Sequence, residues 1–208
     1  MTDTQDGRHE RSEATRAKLL EAAASLFAER GYKGTTLDAI AAAGDSHRAL
    51  VRYHFKHKQG LYSAILREAI ELGMTLLAPV QQSSDCAARR LSAFIDALGE
   101  LLDRRPHFGP IITREWMSGG AHMEPEVMAA LLGFFQADSA ILEQGSASGE
   151  FRALDTHSAH LALVGSLVFF QVSRPVRERR ETDLGLAPLA SSDHLQVVKS
   201  IFLRGLRP

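Results

Sequence analysis

One short stretch of the chain, from Ser46 to Lys58, has the residue types that bind a polyanion. It contains the cations Arg48, Arg52, Lys56 and Lys58, three histidines and no acidic residue. The whole chain, by contrast, is nearly balanced, with 24 Lys and Arg against 25 Asp and Glu. Arg48 and Arg52 are four residues apart and share a helix face, from which two guanidinium groups can reach phosphates or guanine edges. The stretch indicates nucleic-acid binding by a local basic patch, although a charged face after a turn is also typical of a solvated surface.

Two helices are predicted before this patch. Leu19, Ala23 and Phe27 recur at the spacing of an amphipathic first helix. Thr35 or Thr36 can cap a shorter second helix, which ends near Ala43. Each helix has an apolar face with which it can pack on its neighbours.

A tight turn at residues 44–46 links the second helix to the patch. Its sequence is Gly-Asp-Ser, and Gly and Asp tolerate left-handed backbone. A third helix begins near His47, and we expect Leu50 and Val51 to face inward. Two short helices joined by a three-residue turn form a helix-turn-helix unit, whose second helix enters the DNA major groove.

Two strings of residues carry a family resemblance. The string GYKGTTLDAIA at residues 31–41 and the string YHFKHKQGLY at residues 53–62 resemble the N-terminal DNA-binding domain of the TetR family of transcriptional repressors. The family usually turns on Ala-Gly-Val before a Ser, where this chain has Gly-Asp-Ser before His47. Arg52 stands where the family usually has a tyrosine that touches DNA.

The resemblance and the charge pattern together predict the domains and the DNA contacts. We expect a flexible arm over residues 1–12, a helix-turn-helix domain over 13–62, and a helical effector-binding and dimerisation domain over 63–208, as the family implies. Double-stranded DNA with a palindromic sequence is the expected partner. The expected DNA contacts are Thr36, Ser46, His47, Arg48, Arg52, Tyr53, His54, Lys56 and Lys58.

The remaining chain predicts an all-α fold. A fourth helix runs from about Lys58 to Pro79, which should end it. No segment shows the period-two alternation of a strand. Further helices are predicted over residues 86–104, 108–117, 124–144, 155–174 and 193–205, and residues 174–192 are too interrupted by Pro and Gly for one continuous helix.

Aromatic and methionine side chains concentrate in three adjacent helices of the C-terminal part. Such side chains can line an apolar pocket, although each is as typical of an ordinary core. The predicted effector site, for a small and largely apolar ligand, comprises Phe94, Leu98, Phe108, Ile111, Arg114, Trp116, Met117, Met128 and Phe135.

The segment from 156 to 172 is apolar nearly all round, so a stable helix there must be covered on all sides. Together with the helix at 193–205 it is predicted to form half of a four-helix homodimer interface, and burial within one subunit is the alternative. Residues 114–118 and the C-terminal apolar pattern are similar to the TetR-family branch with a CerR-like C-terminal domain.

Metal and cofactor chemistry is not expected. Cys86 is the only cysteine, which excludes an intramolecular disulfide and a cysteine-based zinc site. The pair His54 and His57 and the pair His157 and His160 each have helical spacing but lack a third ligand at diagnostic spacing.

Catalytic and membrane functions are also not expected. The stretch Gly145–Gly149 has Ala where a G-x-S-x-G elbow needs Ser, and no Walker A or dinucleotide fingerprint occurs. The apolar run from 161 to 170 is much shorter than a membrane span of about 20 residues, so a cytoplasmic location is expected. The alternatives left open are a helical protein-interaction module and a DNA-binding activator that responds to no ligand.

Overall fold

A computed structural model describes residues 3–208 of the chain, with side chains described from His9 onward. This part of the protein is built from α-helices and contains no strand, as the sequence predicts. The helices in chain order are α1 (Asp3–Gly34), α2 (Leu37–Ala43), α3 (Arg48–Phe55), α4 (Lys58–Gln82), α5 (Ala87–Arg104), α6 (Phe108–Met117), α7 (Pro125–Ala147), α8 (Thr156–Val172), α9 (Arg174–Leu184) and α10 (Ser191–Gly205).

The chain divides into two compact units. The first unit comprises Met1–Glu68 and Pro110–Val127, and the second unit comprises Ala69–Gly109 and Met128–Pro208. The sequence placed a boundary between residues 62 and 63 and did not foresee that residues 110–127 join the first unit. As a result α4, α6 and α7 each contribute residues to both units.

Local capping and turn chemistry form the helix-turn-helix of the first unit. The Thr36 hydroxyl accepts a hydrogen bond from the Ala39 N–H at 3.1 Å, so the N-cap of α2 is Thr36 rather than Thr35. Asp45 adopts a left-handed conformation with φ of 48°, and the Ser46 N–H donates to the Ala41 carbonyl. These contacts end α2 and redirect the chain into α3.

α1 begins at Asp3, inside the flexible arm predicted over residues 1–12, so the described part of that arm is helical and its flexibility stays a prediction. The first two residues of that arm lie outside the described residues. Glu, Gln and Arg in this stretch are good helix formers, and extending an existing helix adds about one hydrogen bond per residue. The packed part of α1, around Leu19 and Phe27, supplies the existing helix.

One helix end differs from the prediction. Pro79 does not end α4, which continues to Gln82, because Pro removes one N–H and leaves the last turn free to form. Residues 174–192 do not form one continuous helix, which confirms the prediction, and α9 covers only Arg174–Leu184 of them. The ion pairs of Arg174 with Glu178 and of Arg179 with Asp183, each four residues apart, support this polar helix.

The second unit has its own apolar core. α5 packs against α8 and α10, and it buries Leu91, Phe94 and Ile95 completely. Among residues 3–208 no single helix is long and apolar enough to cross a membrane. The helices α8 and α9 meet the length and composition criteria for a membrane span only when they are taken together, and the chain bends by 58° at their junction.

The Gly73→Ala substitution should test packing between α4 and α7. A Cβ at residue 73 would lie 2.5 Å from Cζ of Phe134 and 2.8 Å from Cδ2 of Leu101, both buried. Overpacking costs about 1–3 kcal/mol, whereas the helix-propensity gain of Ala over Gly is about 1 kcal/mol. We expect Gly73→Ala to lower the free energy of unfolding by about 1 kcal/mol in urea titrations.

Gly133→Ala in α7 is the matched control. Its Cβ would meet only the flexible end of Met74, at 3.3 Å, so the helix-propensity gain should make this variant at least as stable as the wild type. Equal stabilities for the two variants would contradict the tight packing at Gly73.

Candidate nucleic-acid interface

The helix α3 buries one side and leaves the opposite side free. Val51 and Phe55 are buried, while Ala49, Arg52 and Tyr53 are exposed. Tyr53 is 76% exposed and therefore does not pack into the core. The prediction that Leu50 faces inward is wrong, because Leu50 is 40% exposed and Val51 alone fills the inner position between α3 and its neighbours.

Arg48 lies at the start of α3 and forms an ion pair with α2. Its Nη1 is 3.0 Å from Oδ2 of Asp38, and both side chains are at least half exposed. An exposed pair of this kind contributes about 0–1 kcal/mol to stability, so the guanidinium can exchange Asp38 for another anion at small cost. Arg52 and Lys56 are exposed, and the structure records no ion pair for either of them.

Two of the expected DNA-contacting side chains do not extend freely into solvent. Ser46 is half buried, and its hydroxyl oxygen is buried without a hydrogen-bond partner. The Lys58 ammonium donates to the carbonyls of Tyr32 at 3.0 Å and Thr35 at 3.1 Å, so it binds its own chain. Contact of either residue with DNA stays a prediction.

The remaining expected contacts are at or near the surface. His47 is the exposed N-cap residue of α3, with no side-chain cap of its own, and Thr36 is exposed at the start of α2. His54 is half buried, and its ring packs against the ring of Tyr53. Lys56 is exposed just after α3, in a conformation with φ of 63°.

A set of donors satisfies the backbone carbonyls around the C-terminal end of α1. The helix is interrupted at Gly31, which has φ of 72°, and the last carbonyls of a helix need partners from outside. The buried Thr35 hydroxyl lies 3.1 Å from the Leu26 carbonyl and 2.9 Å from the Gly31 carbonyl. The Lys58 ammonium donates to the carbonyls of Tyr32 and Thr35. Its nitrogen also lies over the Tyr32 ring, 4.2 Å from the ring centroid.

Arg114 of α6 completes this set. Its Nε donates to the Ala28 carbonyl at 3.0 Å and its Nη2 to the Glu29 carbonyl at 2.8 Å. In the structure the Arg114 guanidinium therefore caps α1, and its contact with an effector stays a prediction. A cation is also favourable at this helix end, where the helix dipole is negative.

A buried carboxylate ties α4 to α6 within the first unit. Glu115 is 2% exposed, and its Oε1 accepts a hydrogen bond from the Tyr62 hydroxyl at 2.7 Å. The His122 backbone N–H donates to Oε2 at 3.1 Å, and His122 Nδ1 donates to Oε1 at 3.0 Å. Burial and the bond to Glu115 raise the pKa of Tyr62 far above its ordinary value.

An aromatic cluster surrounds this carboxylate. The Tyr32 and His122 rings are stacked with their centroids 4.2 Å apart. The Phe27 and Tyr62 rings form a T-shaped pair with their centroids 4.9 Å apart. Sequence reasoning missed this cluster as a unit, because Tyr62 and Glu115 are 53 residues apart. The only local signal was Glu115 itself, a charged residue within an apolar helix.

The predicted effector residues fall into both units. Phe94, Leu98, Phe108, Met128 and Phe135 belong to the second unit, and the other four belong to the first. Phe94, Leu98, Phe108 and Ile111 are buried, and Phe135 is half buried.

Three of the predicted effector residues lie at the surface of the structure, and their contact with an effector stays a prediction. Trp116, Met117 and Met128 are exposed, at 49%, 85% and 37%. The inward positions of α6 are taken by Ile111, Ile112 and Glu115, which leaves Trp116 and Met117 outside, and Met128 lies in the first turn of α7.

The second unit contains a buried acid that the sequence did not reveal. The Asp138 carboxylate is fully buried, and its oxygens lie 2.9 and 3.0 Å from Nδ1 of His160. Burial raises the pKa of Asp138, although His160 opposes that shift. Phe135 makes edge contacts with the rings of His157 and His160. Among the side chains described from residue 9 onward there is no cluster of three or more metal-ligating groups.

Residues 19–65, which contain the whole α2–turn–α3 segment, match the family model described as bacterial regulatory proteins, tetR family. Over 211 residues the chain is 27% identical to the HTH-type transcriptional repressor NicS of Pseudomonas putida, with 96% of each chain covered. It is 22% identical over 201 residues to the HTH-type transcriptional regulator RutR of Escherichia coli K12, covering 95% of this chain and 94% of RutR.

A solved structure has the same fold. The ketosteroid transcriptional regulator KstR2 of Mycobacterium tuberculosis superposes with a TM-score of 0.76 and 23% identity, covering 93% of this chain and 95% of KstR2. At this identity the likeness concerns the fold: an N-terminal helix-turn-helix followed by a helical C-terminal part.

The Tyr62→Phe substitution should test the buried carboxylate. It removes one donor from Glu115, and a hydrogen bond to a buried charged group contributes about 1.5–3 kcal/mol. We expect the free energy of unfolding to fall by about 2 kcal/mol. Because the folded-state pKa of Tyr62 is raised, its contribution is fully present below about pH 10, the pKa of an unfolded tyrosine, and is lost above it.

Denaturant titrations of the wild type and Tyr62→Phe, at pH 8 and in the alkaline range, measure both effects. Tyr53→Phe is the control, since that exposed residue should change neither the stability nor its alkaline loss. A Tyr62→Phe protein as stable as the wild type at pH 8 would show that the Glu115 contact does not stabilise the fold.

Proposed function

We propose that this chain, which belongs to the TetR family of transcriptional regulators, is a homodimeric repressor that binds a palindromic operator and is released by a small ligand. The observation that carries the proposal is the exposed basic surface of α3, presented after a tight turn by a buried framework. Its relatives are named as transcriptional repressors and regulators, and the protein is not an enzyme.

In the proposed complex α3 enters the major groove and α2 crosses the phosphate backbone. Arg52 and Lys56 are exposed cations that can bind phosphates or bases, and Arg48 can exchange its bond with Asp38 for one with DNA. Thr36 and His47 lie at the starts of α2 and α3, where backbone N–H groups favour phosphate. Since its target is DNA, we place the protein in the cytoplasm.

Exposed apolar side chains on α8 and α10 support the homodimer. Phe169 is 70% exposed and Leu161 51%, and they share one face of α8 with Gly165, beside which there is open space. On α10, Val197 and Ile201 are four residues apart and more than half exposed. Exposed apolar surface of this kind marks a protein interface, and a second copy supplies the matching face of a symmetric dimer.

The second unit is the proposed effector-binding part. Phe94, Leu98 and Phe108 give it a buried apolar and aromatic interior, which suits a largely apolar ligand. The helices α4, α6 and α7 have residues in both units, and this continuity of the chain supports the proposal that the ligand acts on DNA binding. To move an operator from mostly bound to mostly free, the ligand must prefer the released conformer by about 10⁴-fold, or about 5.5 kcal/mol.

DNA binding is tested with the double variant Arg48→Ala/Arg52→Ala. The DNA is the region upstream of the protein's own gene, or fragments selected from the genome, and binding is measured by fluorescence anisotropy over a salt series. We expect at least a tenfold loss of affinity for the double variant, since a good arginine–base contact contributes about 1–3 kcal/mol. The slope of log affinity against log salt should also fall by about 1 for each lost phosphate contact.

The control is Arg179→Ala/Arg180→Ala, which removes the same charge from the exposed helix α9. This variant should bind like the wild type. If the α3 variant keeps the wild-type affinity and salt slope, α3 is not the DNA-binding element.

The dimer is tested by Phe169→Glu and Ile201→Glu. Each places a charge on the exposed apolar face, and burying an unpaired charge is strongly unfavourable. We expect both variants to sediment as monomers at concentrations where the wild type is a dimer. Leu132→Glu, at an exposed leucine of α7, should remain dimeric, and dimers of all three variants would contradict the proposed interface.

A further inference from the structure

The centre of the exposed side of α3 is apolar rather than basic. A helix turns by about 100° per residue, so the side opposite the buried Val51 and Phe55 carries Ala49 and Tyr53, with Leu50 beside them. Leu50 is 40% exposed and Tyr53 is 76% exposed. Arg52 and Lys56 lie to the other side of this centre.

The packing of the first unit does not account for Leu50. Its neighbour Val51 fills the inner position, while Leu50 leaves a large part of its apolar surface in solvent. The charge around Leu50 indicates the kind of partner that binds there. Residues 46–58 contain four cations and no acidic residue, which is complementary to a polyanion. An apolar contact surface set within a basic one therefore fits DNA.

The major groove offers one apolar group for such a surface, the 5-methyl group of thymine. We propose that Leu50, with Ala49 beside it, packs on a thymine methyl group in each operator half-site and is a specificity-determining residue. This inference rests on the proposed function, in which α3 enters the major groove. Arg48 and Arg52 then bind phosphates or guanine next to that thymine.

The experiment removes the methyl group without changing base pairing. Duplexes that bind the full-length protein are first selected from a random library. Each thymine of one half-site and its symmetry mate is then replaced by uracil, one position at a time. Affinities of the wild type, Leu50→Ala and Leu50→Met are measured by fluorescence anisotropy, with Leu132→Ala as a control at an exposed leucine of the second unit.

We expect one position in each half-site at which uracil weakens wild-type binding about fourfold per half-site, the factor that corresponds to one buried methyl group. Leu50→Ala should bind thymine and uracil duplexes about equally at that position. Leu50→Met, which keeps a long apolar side chain, should remain sensitive to the methyl group, and so should Leu132→Ala.

Two results would overturn the inference while leaving the proposed function intact. In one, the wild type binds every uracil duplex as tightly as its thymine parent. In the other, Leu50→Ala retains the full sensitivity to the methyl group. If no duplex is selected, or if Arg48→Ala/Arg52→Ala binds the selected duplex like the wild type, the proposed function itself fails, and the inference fails with it.

Discussion

The backbone carbonyls around the C-terminal end of α1 impose the constraint on which the first unit depends. The helix is interrupted at Gly31, and the carbonyl groups near the break cannot all find partners within α1. Donors come instead from Thr35 before α2, Lys58 at the start of α4 and Arg114 in α6. One chemical requirement, the need for partners of the last carbonyls of a helix, thereby brings three other segments to the end of α1.

The buried Glu115 carboxylate adds a second connection between the same elements. It joins Tyr62 of α4 to the segment after α6 through His122. Burying a carboxylate costs free energy unless its oxygens accept hydrogen bonds, so the loss of any one of these donors destabilises the fold. The helix-turn-helix therefore rests on a framework that extends to residues 110–127, beyond the contiguous N-terminal domain.

The features of the structure that the sequence predicts correctly are those formed by local interactions. The apolar spacing predicted α5 and α6 to within one residue, and the N-cap of α2 and the turn at residues 44–46 also followed from neighbouring residues. The exposure of Arg52 is likewise local, because a helix turns by about 100° per residue and so rotates Arg52 away from the buried side that holds Val51.

The sequence does not predict contacts between partners that lie far apart in the chain. Lys58 and Arg114 each bind carbonyls at the end of α1, and no local pattern marks those acceptors. Tyr62 and Glu115 meet across 53 residues. Leu50 and Val51 are adjacent and both apolar, so only the packing of α3 decides which of them is buried.

In the proposed complex, the ion pair between Asp38 and Arg48 influences which DNA sites retain the protein. The Asp38 carboxylate lies beside the basic helix and repels any phosphate that approaches it. The exposed pair itself contributes only about 0–1 kcal/mol, so a guanine edge that accepts from Arg48 readily replaces Asp38. Under the proposed function, the carboxylate would therefore weaken binding to DNA without such an acceptor more than binding to the operator, which competes with far more numerous sites.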